Sequence, residues 1–412
     1  MKRRMSMFLH HIRGEHLLPF WCGYALYSIL VLALAMLLLT HPGIFPASGA
    51  QNMEKWRTTV PEGIRFCQDS ARYLRGAEHL LVGEPLEDEQ PSYRGYIWVV
   101  TVCLRAGIGL TGVIALQVIL QLASLLVVML LANRLVNQHA ALLTGLFFVL
   151  NAELTAWTCF VSTDTPYTAA VCFATWLLLL PDSQHPWRYA ICFVLLFLCA
   201  TLRPTGWILL PAAALFWSLR LPLKCRWRIL LCIATILLFL GCAFGLGNAR
   251  RGIEEQSPVV KLYAGEVVWC EPLWRVKMPS PPAKQDYITA LGYIVRHPVA
   301  CSWLAIKRAA MMFLKIRPGY SGIHNAFLLV LYLPLFILAV AGAMRYYRHP
   351  ICQAAIAMIV AHTLVVMLTF NDNDGRFTLY VMPLLGLLAA VFLSNVLPCS
   401  TYNVNATRNS EV

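Results

Sequence analysis

The chain is punctuated by apolar runs, many of which approach or exceed membrane-spanning length. Pro19 to Leu39 is the first, and others follow at 112–131, 139–156, 163–180, 187–202, 207–219, 229–247, 326–343, 351–370 and 377–397. Roughly 20 apolar residues in a helix cross the hydrocarbon core of a bilayer. Inside that core every backbone N–H and C=O must be paired within the protein, so only helices and closed barrels can cross. These runs are predominantly apolar and lack the in–out alternation of barrel strands. Composition agrees, with 59% hydrophobic and only 13% charged residues. The expected fold class is an all-α polytopic membrane protein with about ten transmembrane helices.

The chain reads as a single membrane domain. Residues 1–39 are an N-terminal tail and first span, and 40–111 an external segment with surface helices. Residues 112–247 are the membrane core, 248–324 a second external segment, and 325–412 the C-terminal spans with a short cytoplasmic tail. Lys2, Arg3, Arg4 and Arg13 precede the first run, which is too long for a signal-peptide core and lacks a small-residue cleavage site. The short turns on the same side carry Arg134, Arg188, Arg220 to Arg228, and Arg345 with Arg348. This bias of basic residues in short loops puts both termini in the cytoplasm. A bacterial inner membrane is the expected location, with the endoplasmic reticulum membrane as the alternative.

The net charge of +13 resides in loops between spans, which suits membrane lipids and lipid phosphates and does not call for nucleic acid. Most of the 14 cysteines sit inside apolar runs, as small hydrophobes, and no CxxC or Cys/His cluster suggests zinc.

Polar residues beside the spans carry the chemical signal. The stretch from about 60 to 82 has Ile64, Ala71, Leu74, Ala77 and Leu81 near helical spacing, as in an amphipathic surface helix. Asp69 lies within it, as a surface acid paired with Arg72 or Arg65, or as a functional group. Tyr93 to Leu110 reads as a horizontal or re-entrant helix. In this topology Asp69, Glu153, Asp164, Arg203, Asp372, Asp374 and Arg376 all fall at the external face. Ionised groups next to a bilayer are costly and mark functional cavities or ion pairs. Asp164, in Ser162-Thr163-Asp164-Thr165-Pro166, also reads as a helix N-terminal signal. Arg203 and Arg376 at one depth suit a lipid phosphate, since guanidinium binds phosphate bidentately and stays charged.

These positions form an ordered set. They are Asp69-Ser70 with Tyr73 and Ala77, Tyr93-Arg94-Gly95-Tyr96, Gln117, and Ser162-Thr163-Asp164-Thr165-Pro166. Arg203-Pro204-Thr205-Gly206, Arg296-His297-Pro298, and Gly375-Arg376-Phe377 with Met382-Pro383 complete it. Together they resemble the GT-C superfamily of polytopic glycosyltransferases, in particular the protein-mannosyltransferase-like branch that uses polyprenyl-phosphate sugars. The resemblance implies a helical membrane core with external surface helices, a polyprenyl-phosphate sugar donor, and a lipid, glycan or protein acceptor. It implies Asp69 as the functional carboxylate of the first external loop. Tyr73, Arg94, Arg203 and Arg376 are expected to bind substrate, and Glu153 and Asp164 to orient Asp69's partners or bind the acceptor.

Transfer from such a donor is displacement at the anomeric carbon. The expected roles are Asp69 as base and Arg203 and Arg376 as ligands of the leaving phosphate. One base without a carboxylate nucleophile implies inversion. No cofactor is required by this scheme. Gln68 and Ser70 stand where relatives often carry a second acid, which leaves a divalent metal held by Asp69 and Asp164 as an open alternative. A transporter or flippase of a lipid-linked substrate is the alternative function, and it would place acids near the membrane centre.

Overall fold

The computed structural model describes residues 18–41, 63–180, 187–220, 258–269, 274–283, 285–316, 320–372 and 375–397, with isolated positions between 185 and 234. The expected span 229–247 lies almost entirely outside the described residues, as do Asp374 and both chain termini.

Helix α1 (Leu18–Thr40) is followed by α2 (Ser70–Val82) and α3 (Arg94–Arg105). Then come α4 (Gly109–Leu135), α5 (Gln138–Leu150), α6 (Ala152–Thr158) and α7 (Asp164–Leu177). Helix α8 (Trp187–Ala200) leads through a 3-10 turn (Pro204–Ile208) into α9 (Leu209–Arg220). The second long segment supplies α10 (Pro258–Tyr263), α11 (Tyr287–Arg296) and α12 (Pro298–Leu314). The chain closes with α13 (Gly322–Tyr346), α14 (Pro350–Leu368), α15 (Arg376–Leu379) and α16 (Met382–Val396). Among the described residues there is no β-strand, only isolated bridges.

Four described helices, α1, α4, α13 and α14, are long and apolar enough to cross a bilayer. The pair α5 and α6, bent by 60° at Asn151, makes a fifth if counted as one span. The expectation of an all-helical membrane protein therefore holds, while several expected spans are shorter or broken. The last one splits at Tyr380 and Val381 into α15 and α16. Arg296 and Pro298 flank a similar break at His297, since proline cannot supply the N–H that would continue α11.

The main core gathers residues of α4, α5, α7, α9, α13, α14 and α16. Helix α7 is buried on nearly every side, as is α16 from Met382 to Val391. A helix apolar all round belongs inside a helical layer. Close approach sets the α13–α16 contact: a Cβ on Gly342 would lie 2.0 Å from the Leu388 carbonyl oxygen.

The amphipathic stretch is shorter than expected. It becomes helical only at Ser70, so Asp69 sits at the residue before α2, not inside a helix. Helix α2 buries Tyr73, Leu74 and Ala77 and ends at Gly83, whose positive φ of 84° suits a residue without Cβ. Helix α3 buries Tyr96, Ile97 and Val100 against it and leaves Trp98 and Val102 exposed. The Tyr73 ring meets Tyr93 and Tyr96 edge-on at 5.3 and 4.9 Å.

Candidate active site

Two loops at one end of the core are laid side by side by main-chain hydrogen bonds. Arg65 N–H donates to Cys159 O (3.0 Å), and Val161 N–H donates to Arg65 O (2.9 Å). Ser70 Oγ accepts from Cys67 N–H (2.9 Å) and donates to Val161 O (2.7 Å). Behind them, Gln117 Nε2 donates to Thr158 O and Phe160 O, each at 2.8 Å, while its Oε1 accepts from Tyr96. These bonds bring Asp69 and Asp164 to the same place.

A third loop comes from the end of α14. Asn371 N–H donates to Val267 O (3.0 Å), and Trp269 N–H donates to Asn371 O (2.8 Å). Buried Arg308 ties the same region together by donating to the carbonyls of Glu266 (2.9 Å), Met367 (3.2 Å) and Lys261 (3.3 Å). Gly375, at φ 70°, then turns the chain so that Arg376 opens α15.

Arg376 is the hub. Its Nη1 lies 2.9 Å from Asp69 Oδ2 and 3.8 Å from Asp164 Oδ2. Its Nε and Nη2 donate to the two oxygens of Asp372 at 2.8 and 3.2 Å. The guanidinium lies over the Trp157 ring, 5.2 Å from its centroid. Arg203 Nη1 donates to Asp164 Oδ1 (2.9 Å) and to the Tyr380 hydroxyl, which itself donates to Asp164 Oδ1. Tyr73 Oη is 3.3 Å from Thr163 Oγ1. At the mouth, Arg72 reaches Asp69 Oδ1 (3.4 Å), pairs with Glu89 and covers the Tyr93 ring. The result is an alternating series of buried or half-buried cations and carboxylates. Such an array is tolerable near hydrocarbon only because each charge faces an opposite one.

Asp69 is 20% exposed, the outermost carboxylate on Arg376. Burial alone would raise its pKa, but Arg376, Arg72 and Arg203 outweigh it and hold the carboxyl below its ordinary range. Cys67 beside it is no nucleophile, since burial pushes its thiol up to about 11. The sign for Asp69 gives a pH prediction. A depressed carboxyl stays ionised until pH falls below the usual value, so the acid limb of any Asp69-dependent rate should lie below about pH 4. Arg72→Gln removes one of those cations, so that limb should move upward in a pH profile of kcat/KM.

Of the residues singled out from sequence, Asp69, Tyr73, Asp164, Arg203 and Arg376 converge here. Arg94 does not join them: it is an exposed first residue of α3, and Tyr93 and Tyr96 face the cluster's wall instead. Glu153 pairs with Lys315 instead of Asp69's partners. Asp164 opens α7, as its local sequence signals, with Thr163 at the N-cap, and it spends Oδ1 on Arg203 and Tyr380. Arg65 donates to Leu38 O (2.7 Å), leaving Arg72 as Asp69's local partner. Tyr380 and Trp157 were not anticipated. Their spacing held the signal, each lying one helical turn beyond a charged residue, Arg376 and Glu153.

Carboxylate oxygens are the right donors for a hard divalent ion. Here, however, the guanidinium of Arg376 fills the space between Asp69, Asp164 and Asp372. Among the described residues no group of three or more His, Cys, Asp or Glu is placed to hold a metal. As arranged among the described residues, these carboxylates pair with Arg376 and do not form a metal donor set, and no chemical step below uses a metal.

No family model matches the sequence, and no curated protein matches it either. The fold is similar to the crystal structure of the Archaeoglobus fulgidus oligosaccharyltransferase in the apo form, with a TM-score of 0.52 and 12% identity. The likeness covers 93% of this chain and 51% of that protein, so the chain spans about half its length. The all-helical membrane fold expected from the sequence is thus the fold observed, and it is shared with that solved structure.

Proposed function

We propose that this chain is a membrane glycosyltransferase that moves a sugar from a polyprenyl-phosphate donor to an acceptor at the external face. The observation that carries this reading is the convergence of one accessible carboxylate, Asp69, with the guanidiniums of Arg376 and Arg203. The fold shared with a membrane oligosaccharyltransferase supports it.

In this reading the donor phosphate competes for Arg376 and takes over part of its pairing with Asp69. The acceptor hydroxyl attacks the anomeric carbon and gives its proton to Asp69. The bond between that carbon and the phosphate oxygen breaks, and the electron pair leaves with the phosphate, which Arg376 and Arg203 stabilise. Attack opposite the leaving group inverts the anomeric centre. A cavity of about 550 Å³ between α9 and α14 suits the prenyl tail. It begins at Ile208, five residues beyond Arg203, and is lined by apolar side chains down to Arg220, Tyr347 and Gln353 at its other end.

The test uses the full chain in vesicles with radiolabelled sugars on polyprenyl phosphate and extracted source membranes as acceptor. Release of free polyprenyl phosphate with label in a new product is expected. Movement of intact donor across the bilayer without cleavage would instead support the flippase reading and overturn this one.

A further inference from the structure

Both guanidiniums of the site depend on one short turn. Helix α15 is four residues long, from Arg376 to Leu379. A single turn has too few internal hydrogen bonds to hold its own shape, so tertiary contacts must fix it. Arg376 is its first residue, and Tyr380 follows its last. Arg203 lays its guanidinium against the same turn, 5.4 Å from the Phe377 ring centroid and 5.0 Å from that of Tyr380. The placement of this turn therefore sets both cations at once.

A side chain outside the charged cluster holds the turn. His362 of α14 is buried, and its Nε2 lies 3.0 Å from the Phe377 carbonyl oxygen. A carbonyl only accepts, so Nε2 carries the proton and donates. Nδ1 is then a bare lone pair, in keeping with its lack of a hydrogen-bond partner among the described residues. The Phe377 carbonyl is open to this bond because the helix breaks just beyond it. In a continuous helix it would accept from the N–H four residues on, that of Val381. Val381 N–H turns to Thr378 O (3.2 Å) instead. The imidazole also meets the Tyr380 and Phe377 rings edge-on, at 5.1 and 6.5 Å. Thr378 Oγ1 supplies a second tie, donating to the Met312 carbonyl of α12 (2.6 Å). Helix α14 is long enough to cross a bilayer, so His362 fastens a one-turn helix to a rigid one.

We propose that His362 is a positioning residue for sugar transfer, which holds Arg376 and Arg203 at the spacing the leaving phosphate needs. It acts through the Phe377 carbonyl and not on substrate. This rests on the transfer reading above and adds to it a residue outside the charged cluster. An imidazole with one nitrogen unpaired is a costly way to fill a core that leucine would fill without polar atoms. Its single hydrogen bond goes to the turn that carries Arg376. When the donor phosphate takes over part of Arg376's pairing with Asp69, the turn loosens on its charged side. The bond from His362 remains and keeps Arg376 from following the phosphate out.

The experiment compares the full chain in vesicles with its His362→Gln and His362→Asn variants. Glutamine carries its amide nitrogen as many bonds from Cα as Nε2 is, so it can still donate to Phe377 O. Asparagine is one bond short. With radiolabelled sugars on polyprenyl phosphate, the asparagine variant should lose roughly 10²-fold in kcat, the effect of about 1 Å of misplacement. The half-saturating amount of acceptor membranes should stay unchanged, and glutamine should recover most of the rate. Rates are taken per folded molecule, counted by size-exclusion chromatography in detergent. A second readout needs no turnover. Arg203 and Arg376 are buried, so their modification by phenylglyoxal, followed by peptide mass spectrometry, reports whether the turn has opened. Both should react faster in the asparagine variant than in the wild type or the glutamine variant. Equal loss of rate in both variants, a wild-type kcat with asparagine, or equal arginine reactivity in all three proteins would overturn the proposal. Because the modification is independent of sugar transfer, its failure stays distinct from a failure of the transfer reading.

Discussion

Replacing Asp69 with asparagine should lower sugar transfer by at least about 100-fold, the lower end of what a positioned base supplies. Asparagine keeps the shape of the side chain and can still accept a hydrogen bond from Arg376. What it loses is the capacity to take a proton and one negative charge against Arg376 and Arg72. Arg376 retains both oxygens of Asp372, so the hub stays anchored. Donor binding should hold or tighten, because a phosphate no longer competes with a carboxylate for Nη1. The signature is a collapsed kcat with an unchanged or lower donor Kd, measured by transfer assay and by binding of radiolabelled donor in detergent. Transfer near the wild-type rate would remove Asp69 from the mechanism.

Arg376→Met should damage both activity and stability. It leaves Asp372 and Asp164 buried, with Asp69 beside them, and withdraws the cation that three carboxylates share. Removing one partner from a buried charged pair costs about 3–5 kcal/mol, which thermal unfolding in detergent would register. Loss of one transition-state cation adds a fall of roughly 10²- to 10³-fold in rate. Arg376→Lys separates the two effects. It restores the charge, so most stability should return, but an ammonium cannot span Asp69 and Asp372 as the planar fork does. Recovery of full activity with lysine would mean that Arg376 acts only as a point charge.

The fold class was legible because it rests on the length and continuity of apolar runs, which the bilayer enforces. Helix boundaries were less so. Asn151 bends one expected span and Val381 breaks another, while His297-Pro298 breaks a helix of the second external segment, and such breaks depend on what packs against them. For the site, Asp69, Asp164, Arg203 and Arg376 were visible as charges at one depth. Their pairing was not, since it depends on contacts such as Asp69 with Arg376, 307 positions apart in the chain. Asp164 shows the limit most clearly. Its local sequence signals the start of α7, which the structure shows, but not its partners Arg203 and Tyr380, which come from distant elements and claim its oxygen.

The junction between residues 65–70 and 159–161 has a further consequence. Its inter-loop bonds include Arg65 N–H with Cys159 O and Val161 N–H with Arg65 O, made by main-chain groups that almost any residue carries. A register held this way survives exchange of side chains around it. Phe66, Gln68 and Phe160 can drift in identity while the distance between Asp69 and Asp164 stays put. Geometry can thus outlast sequence in such a joint. A library randomised at Gln68 and Phe160, selected only for folded protein, would accordingly preserve the spacing of the acids while exploring new walls around them.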